Sequence, residues 1–368
     1  MMEEKRKNTM ILYRNLRYQQ LFDDMCSLLK PEEGEARPDA YACASQLIDL
    51  AVTYGFRGNL WHCFLAFCMA NNENAYSTSC EIIGPVGGSL SELARHDFAQ
   101  VRELFSLDIA RLDETENGIW SEMKHYENAL ENSKAFNHRI RDRIVELSVS
   151  LENAESDQEF QDIVTEFYKE FGVGKFGLNK AFHIIMDDEA KQVDIEPITR
   201  VEHIELSDLV GYELQKAKLI ENTEAFIEGR AANNCLLFGD SGTGKSSSIK
   251  AILNQYYDRG LRMIEVYKHQ FRGLSDVLEQ IKDRNYKFII YMDDLSFEEY
   301  ELEYKYLKAI IEGGLGIKPQ NVLIYATSNR RHLIREKFSD KRELDDDLHS
   351  NDTVQEKLSL VARFGVTI

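Results

Sequence analysis

Apolar residues return every three to four positions through most of the first 170 residues. This spacing predicts helices over 10–29, 40–54, 60–69, 90–105, 120–151 and 159–171. Ser89-x-x-Glu92 and Ser156-x-x-Glu159 fit capping boxes at two helix starts, and Gly55 and Gly172 fall where helix C-caps belong. Arg139, Arg141, Asp142 and Arg143 interleave with Ile140 and Ile144, which reads as the polar face of a packed helix. Residues 1–171 therefore read as an all-helical domain. The pattern changes over 172–208 to glycine turns, short β-like pieces at 181–185 and 193–198, and the acidic run Asp187-Asp188-Glu189. That stretch reads as a connector. From Leu209 onward, strands predicted at 235–238, 261–266, 287–292, 321–326 and 365–368 alternate with helices at 213–227, 246–257, 275–284, 300–312 and 331–337. Such alternation calls for right-handed crossovers and a parallel sheet covered on both faces, so 209–368 reads as an α/β domain.

Composition narrows the class. With 368 residues, 43% hydrophobic and 29% charged, the chain has ordinary globular character and room for two domains. A net charge of −19 argues against passive nucleic-acid binding, although a local basic groove stays compatible with it. The six cysteines show neither Cys-x-x-Cys nor a zinc spacing, which points to reduced, buried thiols. His62, beside Cys63, lies within the longest apolar run and reads as core packing. That run, 60–70, is too short to span a bilayer, and the N-terminus lacks a signal-peptide core. A cytoplasmic protein without membrane contact is expected.

Residues 239–246 read Gly-Asp-Ser-Gly-Thr-Gly-Lys-Ser, a full match to the phosphate-binding loop G-x-x-x-x-G-K-[ST]. Gly239, Gly242 and Gly244 allow a tight turn whose N–H groups face phosphate oxygens, flanked by Asp240, Ser241, Thr243 and Ser247. Lys245 supplies a cation for the β and γ phosphates, and the Ser246 hydroxyl is a Mg²⁺ ligand. The strand at 287–292 ends in Asp293-Asp294. Asp293 is expected to hold Mg²⁺, and Asp294 to orient the attacking water, with Glu298 as a possible helper. Asp294 stands where ATPases commonly carry a Glu, so slow hydrolysis is one expectation. The strand at 321–326 leads into Thr327-Ser328-Asn329-Arg330-Arg331. Asn329 is the candidate for the γ-phosphate or the water, and Ser328 the alternative. Arg330 and Arg331 read equally as phosphate contacts or surface charge. Gly172-x-Gly174-x-x-Gly177 spells a dinucleotide fingerprint but follows a helix, the wrong order for one, so it reads as a turn.

Asn233 to Ser246, then Met292-Asp-Asp-Leu-Ser-Phe297, then Tyr325 to Leu333 closely resemble a group of bacterial AAA+ ATPases catalogued as a domain of unknown function. The resemblance runs from about Val173 to the end of the chain, and the helical first part matches no recognised pattern. It implies an AAA+ type P-loop fold with a five-stranded parallel sheet ordered 5-1-4-3-2. It further implies ATP and Mg²⁺ as cofactors, a nucleotide sandwiched between subunits of a ring or helical homo-oligomer, and hydrolysis that depends on assembly. On that mapping Val210, Gly211 and Tyr212 lie near the adenine, Asn329 is the first sensor and Arg363 is an arginine finger. AAA+ modules normally continue past this point into a small helical lid, so the lid is expected to be absent from residues 209–368.

The leading functional expectation is an ATPase that remodels or loads a macromolecular partner recruited by the helical domain, a protein sooner than a nucleic acid. The alternatives are an ATP-dependent assembly switch with little turnover and, third, a P-loop kinase. Among weaker signals, Phe271-Arg-Gly273 reads as packing at a helix start rather than a pore loop. Asp345-Asp346-Asp347 with His349 reads as an acidic loop rather than a metal site.

Overall fold

In the computed structural model, residues 9–31, 34, 36–113, 118–129, 137–187, 192–199, 201–297, 301, 303–312, 319–329 and 361–368 are described. The chain divides into two units, Met1–Leu178 and Asn179–Ile368.

The first unit contains α1 (Gln19–Leu29), α2 (Ala40–Tyr54), α3 (Leu60–Asn71), α4 (Ala75–Ile83), α5 (Ser89–Phe105), α6 (Ile119–Lys124), α7 (His138–Glu152), α8 (Asp157–Phe171) and α9 (Gly174–Leu178). Every residue of α3 from 60 to 70 is buried, so this helix is apolar all round because it is the central one. Trp61, Phe64 and Phe67 carry the core, joined by Phe56, Phe98 and Phe160. Cys43, Cys63, Cys68 and Cys80 are buried free thiols in this unit. Burial pushes Cys43 and Cys63 up to about 11, so they stay protonated and inert.

Three departures from the sequence pattern have local causes. Residues 10–18 are not helical, because the buried carboxylate of Asp97 gathers the N–H groups of Ile11 (2.9 Å), Leu12 (2.7 Å) and Tyr13 (3.1 Å). The helix expected over 120–151 is interrupted, because Tyr126 exchanges two backbone hydrogen bonds with Gly58 (2.9 and 3.0 Å), and α7 restarts behind the Asn137 cap. At α5 the cap is Gly88, with φ 71°, and Ser89 is the first helical residue, so the expected box does not form there. Ser156 does cap α8, accepting from the Glu159 N–H at 3.1 Å.

Replacing Asp97 tests this account. Each buried N–H left unpaired costs about 1–3 kcal/mol, so Asp97→Ala is expected to destabilise the protein by roughly 3–5 kcal/mol. Chemical denaturation followed by circular dichroism measures it, and a loss below about 1 kcal/mol would show that the carboxylate is no anchor.

The second unit holds β1 (Ala181–Asp187), β2 (Gln192–Pro197), α10 (Glu213–Ile227), β3 (Cys235–Phe238), α11 (Lys245–Tyr256), β4 (Leu261–Glu265), α12 (Leu274–Ile281), β5 (Lys287–Met292), α13 (Glu303–Glu312), β6 (Val322–Ser328) and β7 (Val366–Thr367). The helix expected at 331–337 lies outside the described residues. Among the described residues the sheet has seven strands in the order β2-β1-β4-β5-β6-β3-β7. This corrects the expected five-stranded parallel sheet. β1 pairs in parallel with β4 and carries the antiparallel β2, so the stretch read as a connector supplies one edge of the sheet. Buried Ala181, Phe182, Ile184, Val193 and Ile195 explain why, since these apolar side chains cover an edge that β4 would otherwise expose.

Alternate strand residues serve the two faces. Leu237, Met263, Ile289 and Leu323 pack with Ile249, Ile252 and Leu253 of α11, while Phe288, Ile290 and Ile324 are buried on the other side. α10 is locked to the sheet by polar bonds. Asn222 donates to the Asn233 carbonyl (2.8 Å) and to Tyr325 Oη (3.0 Å), and Thr223 Oγ1 lies 2.8 Å from the same phenol. Parallel strands of this kind present their carboxyl ends on one rim, where the loops meet.

Candidate functional site

The phosphate loop joins β3 to α11. Gly239 (φ 145°), Gly242 (φ 79°) and Gly244 (φ 84°) hold backbone angles that side-chain-bearing residues rarely adopt. Gly244 is the N-cap of α11 and offers no side chain, so the first N–H groups of that helix remain for an anion. Asp240 and Ser241 are exposed, Ser247 is half-buried, and Thr243 closes the turn by donating to the Asp240 carbonyl at 2.9 Å.

Two hydrogen-bonded chains tie this loop to the ends of β5 and β6. In the first, Lys245 Nζ donates to the carbonyls of Gly239 (2.8 Å) and Asp240 (2.7 Å) and to Asn329 Oδ1 (3.1 Å). Asn329 Nδ2 in turn donates to Asp294 Oδ1 at 2.9 Å. In the second, Ser246 Oγ (2.7 Å) and Thr327 Oγ1 (2.5 Å) both donate to Asp293 Oδ1. Thr327 Oγ1 also accepts from the Asp294 N–H at 2.9 Å. Residues 84 positions apart in the chain are thus in direct contact.

The electrostatics follow from these partners. Desolvation at the strand ends pushes the Asp293 carboxyl up, but the Thr327 and Ser246 hydroxyls outweigh it and hold the group below the ordinary carboxylate range. Tyr291, next to Ser246 and Asp293, keeps its proton through burial. Asp294 has φ 48° and Tyr212 φ 58°, the described non-glycine residues with left-handed backbone. Such strain concentrates where a side chain must be aimed, and here it turns Asp294 back towards Asn329.

A Mg²⁺-bound nucleotide fits this donor set. The uncapped helix and glycine backbone suit phosphate, while Ser246 and Asp293 pair a hydroxyl with an ionised carboxylate, the hard oxygens Mg²⁺ prefers. The buried Tyr291 hydroxyl is a further polar group beside them.

Other expected positions fall out differently. Val210 is 94% exposed and Tyr212 55%. Neighbouring Leu209 comes within 3.8 Å of where a Gly244 β-carbon would sit, so the segment abuts the phosphate loop. Arg363 is exposed and precedes β7, which pairs with β3 from Cys235. It therefore sits at the amino end of the sheet, away from the phosphate loop of its own chain. Ser328 is fully buried, and its carbonyl accepts from the Gly239 N–H at 3.2 Å, a structural role that leaves Asn329 as the polar contact. Phe271 is buried against Phe297, as expected for packing. Glu298, Arg330, Arg331, Asp345–Asp347 and His349 lie outside the described residues.

Two residues escaped the sequence reading. Thr327 bridges the adjacent aspartates, and its only signal was a hydroxyl at a strand end. Glu265 ends β4 in register with Tyr291, and its carboxylate is the main influence raising the Tyr267 hydroxyl.

A mostly parallel sheet with a glycine loop running into a helix, and a lysine, a serine and an aspartate gathered at its carboxyl rim, defines an α/β fold of the P-loop NTPase class with a helical unit before it. The chain belongs to the family described as "Protein of unknown function (DUF815)", whose model matches residues 179–368. No curated protein matches. Among solved structures, "Crystal Structure of the DnaI" is 19% identical, with a TM-score of 0.34, over 52% of this chain and 94% of that one. A putative primosome component from Streptococcus pyogenes is 15% identical, with a TM-score of 0.29, over 51% and 91%. The Thermotoga maritima RuvB Holliday junction branch migration motor is 16% identical, with a TM-score of 0.29; the match covers 45% of this chain and about half (47%) of that one. Among the described residues no helix is long and apolar enough to cross a membrane.

Proposed function

We propose that the second unit binds MgATP on the 239–246 loop and hydrolyses it at a site completed by a second copy of the chain. The helical unit recruits the macromolecular partner that is remodelled or loaded. The observation that carries this reading is the joining of Lys245, Asn329 and Asp294 in one hydrogen-bonded chain beside the Ser246–Asp293 pair. An anion site alone needs only the loop. Carboxylates and an amide set where a γ-phosphate and a water would meet are what hydrolysis adds.

In this reading Lys245 and the loop N–H groups hold the phosphates, and Val210 and Tyr212 offer apolar surface to the base. Ser246 and Asp293 hold Mg²⁺, which when bound neutralises charge on the phosphates. Asp294 orients the water, with its carboxylate positioned by Asn329. Arg363, at the far end of its own sheet, serves the site of a neighbouring copy.

Phosphate release measured at several protein concentrations tests it. The rate per subunit is expected to rise with concentration, and Arg363→Ala to lower it about 10³-fold or more while ATP still binds. One observation favours a second reading. Asp294 is a methylene shorter than Glu and already engaged by Asn329, which suits an ATP-dependent assembly switch with slow turnover. Flat, negligible release with ATP binding intact would reject the motor and leave the switch.

A further inference from the structure

The end of β6 lies between the two halves of the candidate site. On one side Thr327 pairs in register with Leu237 of β3, just before the phosphate loop. On the other side Ala326 stands opposite Met292 of β5, which puts Thr327 level with Asp293.

Three consecutive residues beyond β5 are held from Thr327. Its Oγ1 donates to Asp293 Oδ1 at 2.5 Å and accepts from the Asp294 N–H at 2.9 Å, and its carbonyl accepts from the Leu295 N–H at 2.7 Å. The directions of the two hydroxyl bonds are forced. A hydroxyl has one proton, an ionised carboxylate only accepts and an N–H only donates, so the proton points to Asp293 and a lone pair to Asp294. Thr327 is 2% exposed, and a hydroxyl so placed is unfavourable unless its bonds are made. Strand formation does not ask for it. Valine has nearly the same shape and also favours strands, so what separates threonine from valine here is this pair of bonds.

Both bonds fall on residues that the nucleotide reading uses. Asp294 has φ 48°, a backbone that a residue with a side chain keeps only where its surroundings enforce it, and Thr327 takes the N–H of that same residue. Asp293 Oδ1 has a second donor in Ser246 at 2.7 Å, but Ser246 is itself assigned to the metal. Thr327 carries no such assignment, which leaves its hydroxyl as the dedicated anchor of the carboxylate.

We propose that Thr327 is a positioning residue for nucleotide hydrolysis. One hydroxyl orients the Asp293 carboxylate for Mg²⁺ and fixes the turn from which Asp294 reaches the water, so a single group sets both carboxylates. The inference rests on the nucleotide reading above and adds to it a residue that touches neither phosphate nor metal.

Three substitutions separate the hydroxyl from the shape of the side chain. Thr327→Val keeps the shape and loses the hydroxyl, Thr327→Ala loses both, and Thr327→Ser keeps only the hydroxyl. The protein-bound Mn²⁺ signal in electron paramagnetic resonance, followed as Mn²⁺ is titrated into the full chain saturated with ATP, reads metal affinity without turnover. Removing a group that orients a metal ligand changes affinity or activity by about 10–100-fold, so Thr327→Val and Thr327→Ala are expected to bind Mn²⁺ at least about tenfold more weakly. Thr327→Ser is expected to stay within about threefold of the wild type. Mg²⁺-dependent phosphate release is expected to follow the same order through kcat, with KM for ATP nearly unchanged.

If packing were the role, the order would follow volume instead, with Thr327→Val matching the wild type and Thr327→Ser and Thr327→Ala impaired. That order, or equal affinities throughout, would overturn the proposal. A thermal melt identifies any variant that has lost its fold, and Thr327→Ser with the remaining hydroxyl-free variant then decides. Wild-type protein that binds no ATP rejects the nucleotide reading itself and this role with it, whereas slow turnover with intact binding leaves the Mn²⁺ affinities to decide.

Discussion

Lys245→Ala is expected to weaken ATP binding by about 10²–10³-fold while leaving the protein folded. Hydrogen bonds to charged groups contribute about 1.5–3 kcal/mol each, and the ammonium would serve two phosphates, so its loss removes roughly 3–4 kcal/mol of binding. The side chain is half-buried at the start of α11, and its partners are two loop carbonyls and the Asn329 amide. No apolar core depends on it, so the melting temperature should move by only a few degrees. Titration of a fluorescent ATP analogue reads the affinity and a thermal melt reads the fold. Unchanged affinity would remove the phosphate loop from any nucleotide role.

Asp293→Asn is expected to lower Mg²⁺-dependent phosphate release about 10³-fold with ATP binding largely kept. The substitution retains an oxygen that accepts from Ser246 and Thr327, so the strand ends stay joined, and it removes the charge. Losing the several kcal/mol that a correctly held metal supplies corresponds to that factor. The pH profile separates this role from others. Asp293 is held below the ordinary carboxylate range, so it remains ionised through that range and loses its charge only as pH falls beneath it. Any stability linked to its ionisation is therefore present above the unfolded carboxylate pKa and lost at still lower pH. An acid limb of activity between about pH 5 and 7 cannot come from this group. If Asp293→Asn kept full turnover in Mg²⁺, the metal would have to be held elsewhere.

The strands of the second unit were legible because they are short apolar runs bounded by polar turns. β3 and β5 fall where the pattern puts them, and the glycine loop followed directly from its spacing. The edge of the sheet was not legible. β1 is an apolar stretch whose partner, β4, lies about 80 residues further on, and nothing local to 181–187 reports that pairing. The same holds in the helical unit. The amphipathic pattern of 10–18 is real, but the Asp97 carboxylate, far along the chain, takes its N–H groups. Periodicity reports which face is apolar, and a long-range polar anchor overrides the local helix.

The candidate site divides the same way. Lys245, Ser246 and Asp293 are set by residue type and spacing, because a phosphate loop and an acidic strand end need particular side chains at particular steps. Thr327 bridging two aspartates and Asn329 reaching both Lys245 and Asp294 came only from the fold. By itself the sequence determined the local chemistry, namely which groups can bend, donate or carry charge. The tertiary structure decided which of them share a proton or a lone pair, because a hydrogen bond depends on distances of about 3 Å that no spacing along the chain encodes.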